Sequence, residues 1–328
     1  MELIEIEMSI HASVQDLGRY GYRALGVPVS GAMDRISAAY ANALVGNDPR
    51  EAVIEIVGGN FVFKVLRNTI LAFTGAETRI LVDGTPVEMW RPVWVREGSR
   101  IVVEPPRRGF VVYLAIAGGI DVEKIMGSYS TYYRAGFGGY EGRLLKPGDR
   151  IRGKPVDLEE RWRTLASKTV PEHIKMRIPS SDRVVELRAT RGIHADLLEQ
   201  DLPKLLSSIY VVSEKSDRMG YRLEGPELEH AKSLGRLISV ATDRGYVQVP
   251  PDGKPIVLMA DAQTTGGYAV AIHVLPPDVD TLAQCAPGYR VKFVEVGMDE
   301  AIEIVRRYLA ELENPRLVEI EEVWSEYY

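Results

Sequence analysis

The chain has 328 residues, 45% of them hydrophobic and 26% charged, with a formal net charge of −6. That length suits two domains with real cores, and the acidic balance offers no attraction to nucleic acid or an anionic membrane. No apolar run approaches the ~20 residues of a membrane-spanning helix. The N-terminal MELIEIEMSI lacks the features of a signal peptide, and one cysteine, Cys285, excludes an internal disulfide; a cytoplasmic protein is expected.

In chain order, Glu2–Met8 alternates like a half-buried strand. Residues Met33–Asn47 read as a helix, with Asp34 as its cap, Ile36, Ala39, Tyr40, Ala43 and Leu44 on one face, and Gly46-Asn47 as its stop. Short β-rich runs follow at Ala52–Val57, Asn60–Leu66, Ile70–Thr74, Arg79–Val82, Val87–Val95, Arg100–Glu104 and Val111–Ile116, and Asp83-Gly84 signals a hairpin. From about Arg152 the chain turns charged and proline-bounded, which reads as a connector over 152–182 with a short helix at Leu158–Ala166. Strand patterns resume at Val184–Ala189, Ile209–Val212, Pro255–Ala260, Tyr268–Val274 and Arg290–Val296. An amphipathic helix over Asp299–Glu313 presents Ile302, Val305, Leu309 and Leu312 on its apolar face, and the aromatic, acidic tail beyond Pro315 is expected to dock on its own domain. The fold class is therefore mainly β (α+β), as two β-barrel domains with few peripheral helices. The first is expected over 1–151, the second over 183–328. Gly-Tyr-Arg turns at Gly21–Arg23 and Gly220–Arg222 form a weak internal repeat consistent with related halves.

Several common chemistries have no signature here. The chain has no G-x-x-x-x-G-K-[ST] and no G-x-S-x-G, and its five histidines lack metal-ligand spacing, so no metal site is expected. Polar glycine loops stand out instead. Ser130–Arg143 carries Arg134, Gly138, Gly139 and Arg143, a combination suited to an anion or carboxylate, or to a tight connector. Gln248–Tyr268 runs a buried strand into Asp261, Gln263, Thr264, Thr265, Gly266, Gly267 and Tyr268. Such a polar strand end suits a site, or an Asx/Thr turn that satisfies its own backbone. Asp16 with Arg19, and Asp217 with Arg218 or Arg222, suit structural ion pairs; an arginine left over would be a carboxylate ligand. Ser30, Gly31 and Asp34 suit an N-cap or an anion site at the first helix. We take Asp261, Gln263 and Thr264 as candidate catalytic residues. The substrate-binding candidates are Arg134, Gly138, Gly139, Arg143, Arg218, Arg222, Gln248, Thr265, Gly266, Gly267 and Tyr268.

Four of these stretches occur in one order: VQDLGRYGYRALGVPVSGAMD, GSYSTYYRAGFGGYEGRLLKPGD, SDRMGYRLEGP and VQVPPDGKPIVLMADAQTTGGY. Together they resemble the allophanate hydrolase subunit 2 family, also called the biotin-dependent carboxyltransferase or KipA family, which includes the C component of the prokaryotic 5-oxoprolinase. The resemblance runs from about Val14 to Val296. It implies a cyclophilin-like β fold and a tightly bound subunit 1 (KipI-like) partner. A TIM-barrel-like third subunit would join them in ATP-dependent hydrolysis of 5-oxoproline, with ATP phosphorylating the lactam oxygen. The alternatives it implies are carboxyl transfer from a separate biotin carrier to urea or a similar amide, and a KipA-like role in antagonising a kinase inhibitor. The sequence departs from the family pattern at Ala262, where relatives often carry His, at Ala269 in place of proline, and at Asp243-Arg244.

Overall fold

The computed structural model describes residues 1–320. The chain divides into two compact units. The first holds Met1–Arg19, Ser30–Ile178 and, among the described residues, Glu311–Ile320; the second holds Tyr20–Val29 and Pro179–Ala310. The stretch expected as a connector is thus split at Ile178, and its larger part packs with the first unit.

In the first unit the strands are β1 (Glu2–Ser9), β2 (Ala12–Gln15), β3 (Val53–Val57), β4 (Phe61–Val65), β5 (Thr69–Glu77), β6 (Ile80–Val82), β7 (Thr85–Val87), β8 (Pro92–Val95), β9 (Arg100–Val103), β10 (Arg108–Ile116), β11 (Arg150–Arg152) and β12 (Lys168–Thr169). Its helices are α1 (Arg35–Leu44), α2 (Leu158–Leu165) and α3 (Glu172–Lys175). One sheet runs β11-β1-β4-β9-β6-β7 and the other β2-β3-β10-β5-β8. Alternating residues of both, among them Ile4, Ile6, Phe61, Phe63, Ile101, Val14, Ile54, Phe73 and Leu114, meet in one core. Asp34 caps α1 as expected, accepting from Ser37 N at 3.1 Å. Asp83 and Gly84 both take positive φ, the two-residue hairpin turn their sequence signals. The run Val87–Val95 was expected as one strand. It is two, because Trp90 sits at φ 62° and Pro92 opens β8.

The second unit contains β13 (Val184–Arg191), α4 (Leu202–Ser207), β14 (Tyr210–Val212), β15 (Gly220–Glu224), α5 (Glu229–Leu234), β16 (Val240–Ala241), β17 (Tyr246–Val249), β18 (Ile256–Leu258), β19 (Thr265–Gly266), β20 (Ala269–Val274), α6 (Pro276–Ala283), β21 (Arg290–Glu295) and α7 (Met298–Glu313); β22 (Val318–Glu319) follows in the first unit. Seven strands close as a barrel, β13-β20-β17-β18-β15-β14-β21, with β21 and β13 pairing in parallel. Buried Leu187, Tyr210, Val247, Val257, Ile272 and Phe293 supply its core. The chain is therefore mostly β, with its closed barrel in the second unit.

Two expectations change. The apolar face assigned to the last helix is partly outside: Ile302 is 42% and Leu309 48% exposed, while Ala301 and Tyr308 are the buried positions of α7. Tyr308 fixes the helix by donating its hydroxyl to Asp280 at 3.0 Å. The Gly-Tyr-Arg turns are not structural copies. The first leads into a 3-10 turn over Arg23–Leu25, whereas the second is part of β15. The tail expected to dock on its own domain is described as far as Ile320, where β22 pairs with β12; Glu321–Tyr328 lie outside the described residues.

Candidate functional site

The glycine loops of the first unit meet each other. Asp16, buried just past β2, accepts from Gly18 N at 2.8 Å, Ser128 Oγ at 2.8 Å and Tyr129 N at 2.7 Å, and also from Ser130 Oγ. Arg19 has no exposed surface. Its Nε donates to the Ile125 carbonyl at 3.0 Å and its Nη2 to the Ser130 carbonyl at 2.8 Å, with the guanidinium 4.9 Å from the Phe137 ring centre. A Cβ on Gly138 would collide with the Ser130 carbonyl, and one on Gly139 with Thr131 Oγ1. These two glycines, expected to approach a ligand, instead let the loop approach itself. Arg143 is also occupied. It bridges Asp149 at 2.7 and 2.9 Å and Glu141 at 2.6 Å, and lies over Tyr140. Burial alone would raise the Asp149 carboxyl; its bonds from Arg143 and Lys146 N outweigh that and hold it below the ordinary range. Arg134 is exposed at the loop tip, 6.0 Å from the Tyr133 ring centre.

In the second unit the last two motifs converge. Arg218, at the turn before β15, grips Asp261 just past β18: Nε to Oδ2 is 2.8 Å and Nη2 to Oδ1 is 3.1 Å, with side-chain exposures of 4% and 0%. Asp261 N also donates to the Arg218 carbonyl at 2.8 Å. A catalytic carboxylate and a substrate arginine were expected here. The two residues instead satisfy each other in a desolvated, bidentate pair. Arg222 points outward from β15, and its backbone is tied to Ser213 and Ser216.

Beyond Asp261 the chain forms a polar corner. Gln263 Nε2 donates to Gln248 Oε1 at 3.0 Å, and the Gln263 carbonyl accepts from Thr242 Oγ1. Thr242 N donates to the Thr264 carbonyl at 3.0 Å, and β16 pairs with β19 through Val240–Gly266 and Ala241–Thr265. Gln248, on β17, is 2% exposed. The bond from Gln263 orients its amide, and its Nε2 has no hydrogen-bond partner among the described residues. That donor faces Gly266, where an ideal Cβ would lie 2.5 Å away. Gly267 packs under the Leu237 carbonyl, Thr265 is exposed, and Tyr268 is half-buried. Two hydrogen-bonded primary amides and a desolvated N–H donor are suited to a carbonyl oxygen. Around the corner, His273 Nε2 lies 3.2 Å from the Arg244 carbonyl, and His194 Nδ1 accepts from Val270 N. Burial depresses both imidazoles below their ordinary value.

Sequence reasoning missed Thr242, which carries no motif of its own and reaches Gln263 only because β16 folds back on β19. It also left Asp243-Arg244 as an unexplained departure. Both are structural: Asp243 pairs with Arg23 at 2.7 Å, and buried Arg244 pairs with Asp280 at 2.8 Å. Among the described residues no cluster of His, Cys, Asp and Glu is arranged to hold a metal ion.

Comparison with known proteins gives a consistent answer. Residues 25–295 match the model of the carboxyltransferase domain, subdomain A and B. The chain is 36% identical to the C component of 5-oxoprolinase from Escherichia coli, covering 90% of this chain and 92% of that protein. It is 32% identical to urea amidolyase of Saccharomyces cerevisiae over 91% of this chain but only 17% of that protein. Among solved structures, the Kluyveromyces lactis urea carboxylase superposes with a TM-score of 0.86 at 25% identity, covering 96% of this chain and 29% of that one. TTHA0988 superposes with a TM-score of 0.78 at 30% identity, covering 90% of this chain and 55% of that one.

Proposed function

The chain belongs to the carboxyltransferase domain family, and on that premise we propose that it is a subunit of a multi-subunit, ATP-dependent 5-oxoprolinase acting on a small lactam. The observation that carries this reading is the like-for-like length of its match to the 5-oxoprolinase C component, nine-tenths of both chains. The urea amidolyases, by contrast, contain this region as a minor part of a longer chain. A lactam offers one carbonyl oxygen and one N–H. In this reading Gln248 Nε2 donates to that oxygen, with Gln263 holding the amide in register. Asp261 and Arg218 position the corner rather than touch substrate.

The sequence has no Walker motif, and the glycine-rich loops among the described residues offer no open phosphate cradle. The glycine-rich 130–143 loop is folded on its own carbonyls, and Arg143 is engaged by Asp149 and Glu141. We therefore assign ATP to a partner protein, with a KipI-like subunit 1 and a TIM-barrel-like third subunit as the expected partners. The test is co-expression with both, followed by assay of ADP release. Release that depends on 5-oxoproline, and disappears when this chain is omitted, is the expected result. An assembled complex without such release would overturn the proposal. The second reading, carboxyl transfer from a separate biotin carrier to urea or a similar amide, is favoured by the close superposition on urea carboxylase. It predicts carboxybiotin-dependent turnover of urea in place of ADP release. Gln248 serves equally there, because urea also presents one carbonyl between N–H groups.

A further inference from the structure

The ladder beside the polar corner contains a bulge. β17 and β20 pair as Val247–Ile272 and then as Gln248–Val270, so Ala271 is an extra residue between them. Gln248 therefore lies beside Val270, and Val249 beside Ala269. The bulge also fixes where the chain entering β20 runs. That chain includes Gly266, whose ideal Cβ would lie 2.5 Å from Gln248 Nε2.

A bulge leaves backbone groups outside the ladder, and one short segment takes these up. β13 stops pairing with β20 at Arg191–Ile272. Beyond it, Gly192 N donates to the Ala271 carbonyl at 2.9 Å, and His194 N donates to the Val270 carbonyl at 3.1 Å. Val270 N in turn donates to His194 Nδ1 at 3.1 Å, so the imidazole takes the place of a strand carbonyl. Gly192 permits the close approach, since an ideal Cβ there would lie 2.5 Å from the Val270 carbonyl oxygen. With Nδ1 as an acceptor the ring is neutral and carries its proton on Nε2. Protonation would set an N–H against the Val270 N–H and open this clamp. His194 is half-buried, and burial is the cause of its depressed pKa. The charged groups on its own stretch are Arg191, Asp196 and Glu199; Arg191 attracts both acids and pairs with Glu295 of β21 at 2.9 Å. The titratable group on β20 is His273, held at the Arg244 carbonyl.

We propose that His194 is a positioning residue for the Gln248 site: its neutral imidazole holds the β20 bulge, and through the bulge the placement of the Gln248 amide against Gly266. This rests on the reading of Gln248 Nε2 as the donor to the substrate carbonyl. His194 touches no substrate; it acts through Val270.

Two measurements on the full chain test this. In the nitrogen-15 spectrum the Gln248 side-chain amide is assigned by its loss in Gln248→Leu, and the His194 ring by its loss in His194→Asn. The ring is expected to show the Nε2–H tautomer. On titration from about pH 8 to about pH 5, the Gln248 amide is expected to shift with the same midpoint as the His194 ring, below the ordinary value of about 6.5. His194→Asn keeps an acceptor for Val270 N and does not titrate, so its Gln248 amide is expected to stay in place across that range. In the assembled complex, kcat/KM for substrate-dependent ADP release is expected to fall with the same midpoint. His194→Asn should remove that acid limb, and His194→Leu should cost about tenfold or more at every pH. Should His194→Leu fail to fold, the titration of the unaltered chain still decides. A Nδ1–H tautomer, or a Gln248 amide unmoved while His194 protonates, overturns the proposal. So does His194→Leu with the resonance and kcat/KM of the unaltered chain. Coupled resonances in a chain whose assembled complex releases no ADP would instead overturn the lactam reading and uphold the positioning.

Discussion

At the residue scale, partnership decides which polar groups are available for chemistry. Asp261 and Arg218 are buried and bound to each other, so removing either leaves an uncompensated charge, a loss of about 3–5 kcal/mol. Asp261→Ala is therefore expected to lower the urea midpoint of unfolding sharply, and any loss of activity should follow loss of fold. Gln248 is the reverse case. Its Nε2 is buried without a partner among the described residues, which costs about 1–3 kcal/mol in the absence of a ligand. Gln248→Leu is expected to leave the unfolding midpoint near or above that of the unaltered chain. It should cost the assembled complex at least tenfold in kcat/KM, measured by substrate-dependent ADP release. Equal losses for Gln248→Leu and a distant surface variant would remove Gln248 from the site. Asp261 and Gln263 were legible in the sequence as a polar strand end, and Gln248 as a substrate-binding candidate earlier in the same stretch. Which of them was free was not, because Arg218 reaches Asp261 across 43 residues of chain.

At the element scale, loops that read as ligand cradles are largely self-satisfied. The 130–143 loop spends Gly138 and Gly139 on close backbone approach and Arg143 on an ion-pair clamp. Gly138→Ala is expected to destabilise the first unit by more than about 1 kcal/mol, since φ 73° is unfavourable and the Cβ meets the Ser130 carbonyl. Calorimetry or urea titration reads this directly. Helices and strands with strong periodicity were predicted within a few residues, as α1 and its Asp34 cap show. The burial of α7 was misjudged: Tyr308, off the aliphatic stripe, is chosen by its bond to Asp280, while Ile302 and Leu309 are left out. Periodicity orients a helix only when the opposing surface accepts that stripe.

At the scale of the whole molecule, protonation should erode stability on the acidic side. The native pKa values of His194 and His273 are depressed by burial, so each binds protons more readily when unfolded. Their contribution is complete above the unfolded value of about 6.5 and is lost as pH falls through the native values. Chemical denaturation at pH 7.5 and pH 5 is expected to show the decrease, and His273→Gln to reduce it. A pH-independent midpoint would contradict the burial of both rings. The amino-acid sequence by itself determined the mostly β class, the early helix with its cap, and four ordered motifs specific enough to name a family. These rest on local periodicity, turn chemistry and residue spacing, all of which are properties of short stretches. Only the tertiary structure decided that the barrel expected in the second unit closes with seven strands in the order β13-β20-β17-β18-β15-β14-β21, and that the supposed connector belongs mostly to the first unit. It also decided which of the many polar candidates are spent on holding the fold. Strand closure and buried pairing depend on contacts between residues far apart in the chain, and no local pattern records them.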